Sequence, residues 1–149
     1  MLVTGTSGFG YGAIAMKTYR VRDFMADHYA CVKPTQSLTA AVKILLEYHQ
    51  SAAPVVDDEQ QLVGLLSEAD CMRSTLVEGY YQEGVALVQD QMTTSPESVS
   101  PDAELSAVSD AFLANNRRMM PVVEAGTLVG IVSRQDILKT LLDGLESKD

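Results

Sequence analysis

The sequence has little of several things that define large classes of protein. It contains two cysteines, Cys31 and Cys71, and no tryptophan. Two thiols cannot build a disulfide framework or complete a four-cysteine zinc site, so we expect both to be reduced, as in the cytoplasm. No run of apolar residues approaches the ~18–20 that a membrane span needs. These shortages exclude a disulfide scaffold and a transmembrane protein.

Positive charge is also scarce. Eleven Lys and Arg residues face twenty Asp and Glu residues, which gives a net charge of −9. A protein that binds duplex nucleic acid draws its affinity from neutralising phosphates, so this balance makes nucleic acid an unexpected partner, although a local basic pocket remains open. The 149 residues are 46% hydrophobic and 21% charged, which is ordinary for a globular chain of one domain or two very small ones.

What the sequence does contain is an internal repeat. When residues 21–56 are laid over residues 88–123, eleven of the 36 positions are identical. After a deletion of one residue, five of nine positions also match between residues 62–70 and 128–136. The matches keep their order and spacing, so the chain holds two copies of one unit.

Both copies show the same order of predicted elements. A short extended segment at Val32 or Val99 precedes a helix whose apolar residues recur at helical spacing. Two apolar, strand-like runs separated by a polar turn follow, and then a closing helix, which we place at 68–77 and 134–142. The sequence therefore predicts an α/β (α+β) protein with the order β-α-β-β-α written twice. Neither copy of about 50 residues buries much apolar surface alone, so we expect the two to share a core as an intramolecular pseudo-two-fold pair.

The predicted boundaries follow from the repeat. We expect the first domain at 19–78, a linker at 79–87, the second domain at 88–143 and a tail at 144–149. Residues 1–18 are expected to be a leader or a cloning remnant, because the first fifteen are glycine-rich and carry no Lys or Arg. They lack the basic start and unbroken apolar run of a signal peptide.

The most specific pattern is Gly-h-h-Ser-x-x-Asp, where h is apolar. It occurs at 64–70 and again at 130–136, each time after a Pro-Val-Val strand and a short turn. This pattern resembles the cystathionine-β-synthase (CBS) domain, and the duplication resembles a tandem CBS pair, or Bateman module. The resemblance covers residues 19–142. It implies that an adenosyl compound (AMP, ADP, ATP or S-adenosylmethionine) binds in the cleft between the copies as a regulatory ligand, with no cofactor required.

The motif residues suit that chemistry. A serine at a strand-to-helix junction places a hydroxyl beside free backbone N–H groups, and an aspartate one turn later can accept from ribose hydroxyls. The same Ser-x-x-Asp pattern is also nearly a capping box that binds nothing, and both interpretations stay open. The second copy has more cationic neighbours, Arg117, Arg118 and Arg134, where the first has Gln50, Ser51 and Glu68. We therefore expect the stronger site in the second copy, with Arg118 a better candidate than Arg117.

The predicted ligand-binding residues form two sets. The first set is Ser133, Asp136, Arg134, Arg118, Gly130, Met120 and, from the partner copy as the resemblance implies, Val32, Ser51 and Ala52. The second, weaker set is Ser67, Asp70, Gly64, Thr93, Val99 and Met119. We expect no metal site, since His28 and His49 have no partner at ligand spacing.

The sequence offers no catalytic set: it has no phosphate loop, nucleophile elbow or histidine–carboxylate pairing. We therefore expect a non-enzymatic module that binds an adenosyl nucleotide and signals to an unidentified effector protein. Similarity to stand-alone members of the family implies a homodimer. The alternatives left open are an interaction module with vestigial clefts, a nucleotide-processing enzyme and a single-strand nucleic-acid binder.

Overall fold

The computed structural model describes residues 18–77 and 86–146. The predicted leader up to residue 17, most of the predicted linker (78–85) and the last three residues of the tail lie outside the described residues. The helices and strands are, in chain order, α1 (Val21–Phe24), α2 (Leu38–Tyr48), β1 (Ala52–Val56), β2 (Leu62–Ser67), α3 (Glu68–Met72), α4 (Val88–Gln91), β3 (Thr93–Thr94), α5 (Leu105–Ala114), β4 (Met119–Glu124), β5 (Thr127–Ser133) and α6 (Arg134–Glu146).

The long helix of the first copy, α2, has a clear beginning and end. The Ser37 hydroxyl accepts the backbone N–H of Ala40 at 3.1 Å and so caps the first turn. At the other end His49 adopts a left-handed conformation (φ 54°), which stops the helix before β1. The buried face, Leu38, Ala41 and Leu45, follows the predicted helical spacing, whereas Leu46, which the same spacing placed on that face, is 69% exposed.

The two copies build matching antiparallel hairpins. In the first, Ala52 pairs with Ser67 and Val55 with Gly64; in the second, Met119 pairs with Ser133 and Val122 with Gly130. Each hairpin has one register shift, between Val55 and Val56 or between Val122 and Val123. The predicted extended segments also appear, because Val32 pairs in parallel with Val55, and Val99 with Val122. The pairing confirms the predicted order β-α-β-β-α in both copies.

The first residues of each copy pack on the other copy. At α1, the Val21 N–H donates to the carbonyl of Ala103 at 2.9 Å, and Ala26 pairs with Ile131. At α4, the Val88 N–H donates to the carbonyl of Gln36 at 2.9 Å. The strand β3 then pairs with β2. Each packed core therefore combines most of one repeat with the opening residues of the other.

The hairpins of the two copies also touch each other directly. A small apolar cluster of Ala52, Met119 and Ile131 lies between the hairpins. At the hairpin ends, the Gln61 side chain donates to the Thr127 hydroxyl at 2.8 Å, and the two turns form a β-bridge. Since Ala52 and Met119 occupy equivalent places in the repeats, the contact surface follows the pseudo-two-fold relation expected from the duplication.

The closing helices differ from the prediction in helix type or in length. The first is α-helical over only five residues and continues as a π-helical turn, Arg73–Val77. The second runs four residues beyond the predicted end, to Glu146. Within 18–77 and 86–146, no helix is both long and apolar enough to cross a bilayer.

Candidate functional site

The strand-to-helix junctions lie close to the start of the preceding hairpin strand. Ser133 ends β5 opposite Met119, and the Arg134 N–H donates to the carbonyl of Arg118 at 3.1 Å. In the first copy the Glu68 N–H donates in the same way to the carbonyl of Ser51 at 2.9 Å. The fold therefore brings together residues that are 16 or 17 positions apart in the chain.

Two clefts open at these junctions. The first, cleft A, has a volume of about 510 Å³, and the second, cleft B, about 420 Å³. Cleft A is lined by His28, Tyr48, His49, Gln50, Ser51, Arg118, Met119, Ile131, Ser133, Arg134, Gln135 and Asp136. Cleft B is lined by Ser51, Ala52, Leu65, Ser67, Glu68, Ala69, Met72, Asn115, Asn116, Arg117, Arg118 and Met119. Both volumes lie within the range of about 300–1,000 Å³ of small-molecule pockets.

Cleft A brings together five of the nine residues predicted for the stronger site. The serine, aspartate and arginine of the second motif, Ser133, Asp136 and Arg134, meet Arg118 and, from the first copy, Ser51. Their convergence required the pairing of the two repeats, because Ser51 lies more than 60 residues before the others. Cleft B collects three further predicted residues, Ser67, Ala52 and Met119.

Asp136 forms a capping box with Ser133. One carboxylate oxygen, Oδ2, accepts the backbone N–H of Ser133 at 2.8 Å and its hydroxyl at 3.0 Å. The Asp136 N–H is in turn 3.2 Å from the Ser133 hydroxyl oxygen. Within the described part of the chain, the second oxygen, Oδ1, has no hydrogen-bond or ion-pair partner. Asp136 thus caps the helix with one oxygen. Its other oxygen is unbonded among the described residues, and the residue lines cleft A.

Asp70 makes the same capping box but differs in its second oxygen. Its Oδ2 accepts the Ser67 N–H at 2.9 Å, while Oδ1 accepts a guanidinium N–H of Arg73 at 3.2 Å. Asp70 is also absent from the lining of cleft B. Both oxygens of its carboxylate therefore already have a partner.

The three arginines near the second junction have different surroundings. Arg117 forms an ion pair with Glu97 at 3.0 Å. Arg134 donates to the side-chain oxygen of Asn116 and to the carbonyl of Arg117, so it braces the preceding turn. The Arg118 guanidinium has no hydrogen-bond or ion-pair partner among residues 18–77 and 86–146. Of the three arginines, Arg118 is therefore the one without a partner among the described residues, and its contact with a ligand stays a prediction.

Several predicted residues lie away from both clefts. Val32 is 1% exposed, and its N–H and carbonyl bond to Pro54 and Val56, so the β-structure uses its backbone. Met120 is likewise 1% exposed in the second core. Val99 pairs with the strand β4, and Thr93 lies exposed on β3. Ligand contacts by these four residues stay predictions without support from the cleft geometry.

The two motif glycines serve the packing of the exchanged segments. A Cβ at Gly130 would lie 2.8 Å from the Met25 sulfur and 3.0 Å from the carbonyl oxygen of Ala26. At Gly64 it would lie 2.5 Å from the Met92 sulfur. The close approach that a glycine permits is thus made here by methionine and backbone.

Cleft A also contains residues that the sequence analysis did not assign to a site. His28, Tyr48, His49 and Gln135 contribute to its lining. His49 is the residue at which α2 ends. Its position two residues before Ser51 was the sequence signal that His49 could line the site. The chain between the end of α2 and the start of β1 runs past the strand-to-helix junction of the other copy.

Other titratable groups give no sign of a reactive centre. Burial raises the pKa of the Cys71 thiol to about 11, and the nearby Asp70 and Glu68 charges add to the shift. Burial also raises the pKa of Cys31. Both cysteines are free. In the part of the chain that the structure describes, no group of three or more metal-ligating side chains comes together.

The fold and the paired junctions define a class of protein: a tandem repeat with ligand-sized clefts between its halves. The family model for the CBS domain matches the chain twice, over residues 21–76 and 86–143. The chain therefore belongs to the CBS domain family and carries two CBS repeats. This confirms the resemblance seen in the duplicated Gly-h-h-Ser-x-x-Asp motif.

Individual relatives agree with this assignment. The chain is 30% identical over 117 residues to the CBS domain-containing protein YhcV of Bacillus subtilis, covering 78% of this chain and 81% of YhcV. It is 31% identical over 121 residues to protein MJ1225 of Methanocaldococcus jannaschii, covering 81% of this chain and 42% of that protein. It thus spans less than half the length of some curated relatives that it matches.

A solved relative gives the same fold. The crystal structure of CBSX2 in complex with AMP, a protein of Arabidopsis thaliana, superposes with a TM-score of 0.75 at 31% identity. The match covers 88% of this chain and 99% of CBSX2. The architecture of two packed CBS repeats is therefore shared with a protein whose structure contains an adenine nucleotide.

Proposed function

We propose that the protein is a non-enzymatic regulatory module that binds an adenosyl nucleotide in cleft A. The observation that carries the proposal is the meeting of Ser133, Asp136 and the unpartnered Arg118 in one cleft of about 510 Å³. A related CBS pair, CBSX2, has been crystallised with AMP. Both points support an adenine nucleotide as the ligand, and the cytoplasmic location expected from the free thiols belongs to the same proposal.

Each part of such a ligand finds matching chemistry in cleft A. The free Oδ1 of Asp136 accepts a ribose hydroxyl, and the guanidinium of Arg118 binds a phosphate through two parallel hydrogen bonds. The apolar side chains of Met119 and Ile131, on facing strands, form a surface for the flat base. Ser51 supplies a polar contact from the other copy.

Calorimetric titration with AMP, ADP, ATP and S-adenosylmethionine tests this proposal. We expect at least one of them to bind the wild type with one ligand per chain in cleft A. The 2′-deoxy form of that ligand should bind about tenfold more weakly, since losing one hydrogen bond to a charged group removes roughly 1.5 kcal/mol. Equal affinity for the deoxy form would remove the ribose contact from Asp136, and no binding by any of the four would overturn the proposal.

The proposed output is a change in how the two copies pack. A ligand in the intervening cleft touches both copies and can therefore bias their packing, which consists of the exchanged opening segments, a cluster of three buried side chains and a pair of hydrogen-bonded turns. A ligand shifts such an equilibrium only by its difference in affinity for the two arrangements, typically about 1–3 kcal/mol. An effector protein would then recognise the ligand-bound arrangement.

We also propose that the module is a homodimer. Large apolar side chains lie exposed on the closing segments, among them Leu76 in the first copy and Leu138, Leu142 and Leu145 in the second. Light scattering at low micromolar concentration should give twice the 16.1 kDa of one chain. Leu76→Glu or Leu138→Glu should return the mass to that of the monomer. A wild-type mass of one chain would contradict the dimer.

A second candidate function has one observation in its favour. Both capping boxes, Ser67 with Asp70 and Ser133 with Asp136, are complete without a ligand. The protein would then be an interaction module with vestigial clefts. Thermal unfolding separates the two, because a ligand that binds only the folded state must raise the melting temperature. No shift with millimolar concentrations of any adenosyl ligand would favour the interaction module.

A further inference from the structure

Clefts A and B are neighbours that share part of their walls. Three residues, Ser51, Arg118 and Met119, line both. Of these three, Arg118 is the one that carries a charge. Ser51 and Arg118 occupy the same position in the two repeats, at the residue that precedes the first hairpin strand. The pseudo-two-fold arrangement therefore places an arginine from one copy and a serine from the other between two ligand-sized spaces.

The other cations near this wall are already engaged. Arg117 lines cleft B, but Glu97 accepts from it at 3.0 Å. Arg134 lines cleft A, but its guanidinium is bound to Asn116 and to the carbonyl of Arg117. A carboxylate, Glu68, also lies in the lining of cleft B. In the described residues, Arg118 is thus the guanidinium at this wall that is free to meet a phosphate.

We propose that the two clefts compete for Arg118, so that a phosphorylated ligand in one cleft weakens the binding of a second in the other. This inference rests on the proposed function. One guanidinium forms its two-bond pair with one phosphate at a time, and once the positive charge is taken, the second cleft has a bound anion beside it and Glu68 within it. The antagonism is reciprocal, because coupling between two binding sites acts equally in both directions.

The geometry also indicates which cleft binds the first nucleotide. Cleft A has the free Oδ1 of Asp136, whereas the equivalent oxygen of Asp70 is held by Arg73. The first nucleotide therefore takes cleft A together with Arg118. An uncharged ligand such as adenosine has no use for the guanidinium, so its two binding events should not oppose each other.

The test compares AMP with adenosine by calorimetric titration of the full chain. In the wild type we expect the second AMP to bind about 100-fold more weakly than the first, about tenfold from the unequal ribose contacts and about tenfold from the coupling. For adenosine the two affinities should differ only by the ribose contact to Asp136, about tenfold. Ser51→Arg gives the wall a second guanidinium and should strengthen the second AMP about tenfold, a loss of most of the coupling. Ser51→Gln, a neutral side chain of considerable length, should not.

The outcomes separate this inference from the proposed function. Equal affinities for the first and second AMP in the wild type would overturn the proposed competition. So would a difference between the two adenosine affinities as large as that for AMP, or equal effects of Ser51→Arg and Ser51→Gln. Should Ser51→Arg not fold, Arg118→Gln on the exposed side chain replaces it and must bring AMP to the two-site behaviour of adenosine. If neither ligand binds, the proposed function fails as well.

Discussion

Truncation of Asp136 can separate helix capping from ligand binding, because Asp70 provides a matched control. In both residues Oδ2 accepts the N–H of the preceding serine, at 2.8 and 2.9 Å. Only Asp136 lines a cleft and keeps its Oδ1 free. Asp136→Ala and Asp70→Ala therefore remove equivalent caps but unequal ligand groups.

The cost of either cap follows from its contacts. A lost capping interaction costs about 1 kcal/mol, and a lost carboxylate near a helix start adds about 0.3–1 kcal/mol. The sum of about 1–2 kcal/mol lowers the melting temperature of a chain of this size by about 2–8 °C. The Arg73 ion pair adds little to Asp70, because such exposed pairs contribute about 0–1 kcal/mol. Without ligand, the two variants should unfold at similar temperatures.

Ligand should then distinguish them. At 100 times its dissociation constant, a ligand stabilises the wild type by about 2.7 kcal/mol. This corresponds to a rise of about 5–11 °C in the melting temperature. We expect Asp70→Ala to keep that rise with AMP and Asp136→Ala to lose at least half of it. The assay is thermal unfolding followed by circular dichroism, with and without AMP. An equal rise in both variants would refute the ribose-binding role of Asp136 and leave it only the cap.

Three further predictions concern packing, reactivity and charge. Gly130→Ala places a methyl group 2.8 Å from the Met25 sulfur and 3.0 Å from a backbone oxygen, so it should cost about 1–3 kcal/mol in a denaturation experiment. That cost should shrink in a Met25→Ala background, and an unchanged cost would contradict the contact. The Cys71 thiol, with its pKa raised from 9.0 to about 11, should react about 100-fold more slowly with iodoacetamide at pH 8 than in the unfolded chain, since the thiolate is the nucleophile. The raised pKa also stabilises the fold below pH 9, and this stabilisation is lost as the pH rises to about 11. Equal labelling rates in the folded and the unfolded chain would contradict the shift. Arg117→Gln should change the affinity of cleft A for AMP by less than about twofold, because the guanidinium is paired with Glu97 at 3.0 Å; a tenfold loss would show that Arg117 contacts the ligand.

Much of the fold could be predicted because the repeat makes each copy a check on the other. The spacing of Leu38, Ala41 and Leu45 predicted the buried face of α2, and the Pro-Val-Val runs predicted β1 and β4. The predicted span of the first closing helix, 68–77, matches the helical residues, but its change of helix type could not be predicted. Its last turn widens into a π-helix over Arg73–Val77, a change in backbone hydrogen bonding that side-chain periodicity does not report.

The site was predicted in part. Ser133, Asp136, Arg134 and Arg118 meet at one junction because their spacing along the chain matches a hairpin followed by a helix. Val32 was placed at the site by the family resemblance, but β-pairing buries it. Sequence spacing does not report which residues the pairing buries, so the burial of Val32 is seen only in the structure, and its ligand contact stays a prediction.

The amino-acid sequence by itself determined the duplication, the order of elements in each copy, the two capping boxes and the excess of cations in the second. These are local properties, set by the spacing of apolar residues and by hydrogen bonds between residues three positions apart. Only the tertiary structure decided that each copy lends its first helix to the other and that Gly130 makes room for Met25. It also placed Arg118, whose guanidinium has no partner among the described residues, on the wall between the two clefts. Those outcomes depend on contacts between residues far apart in the chain, which form only when the two copies pack together.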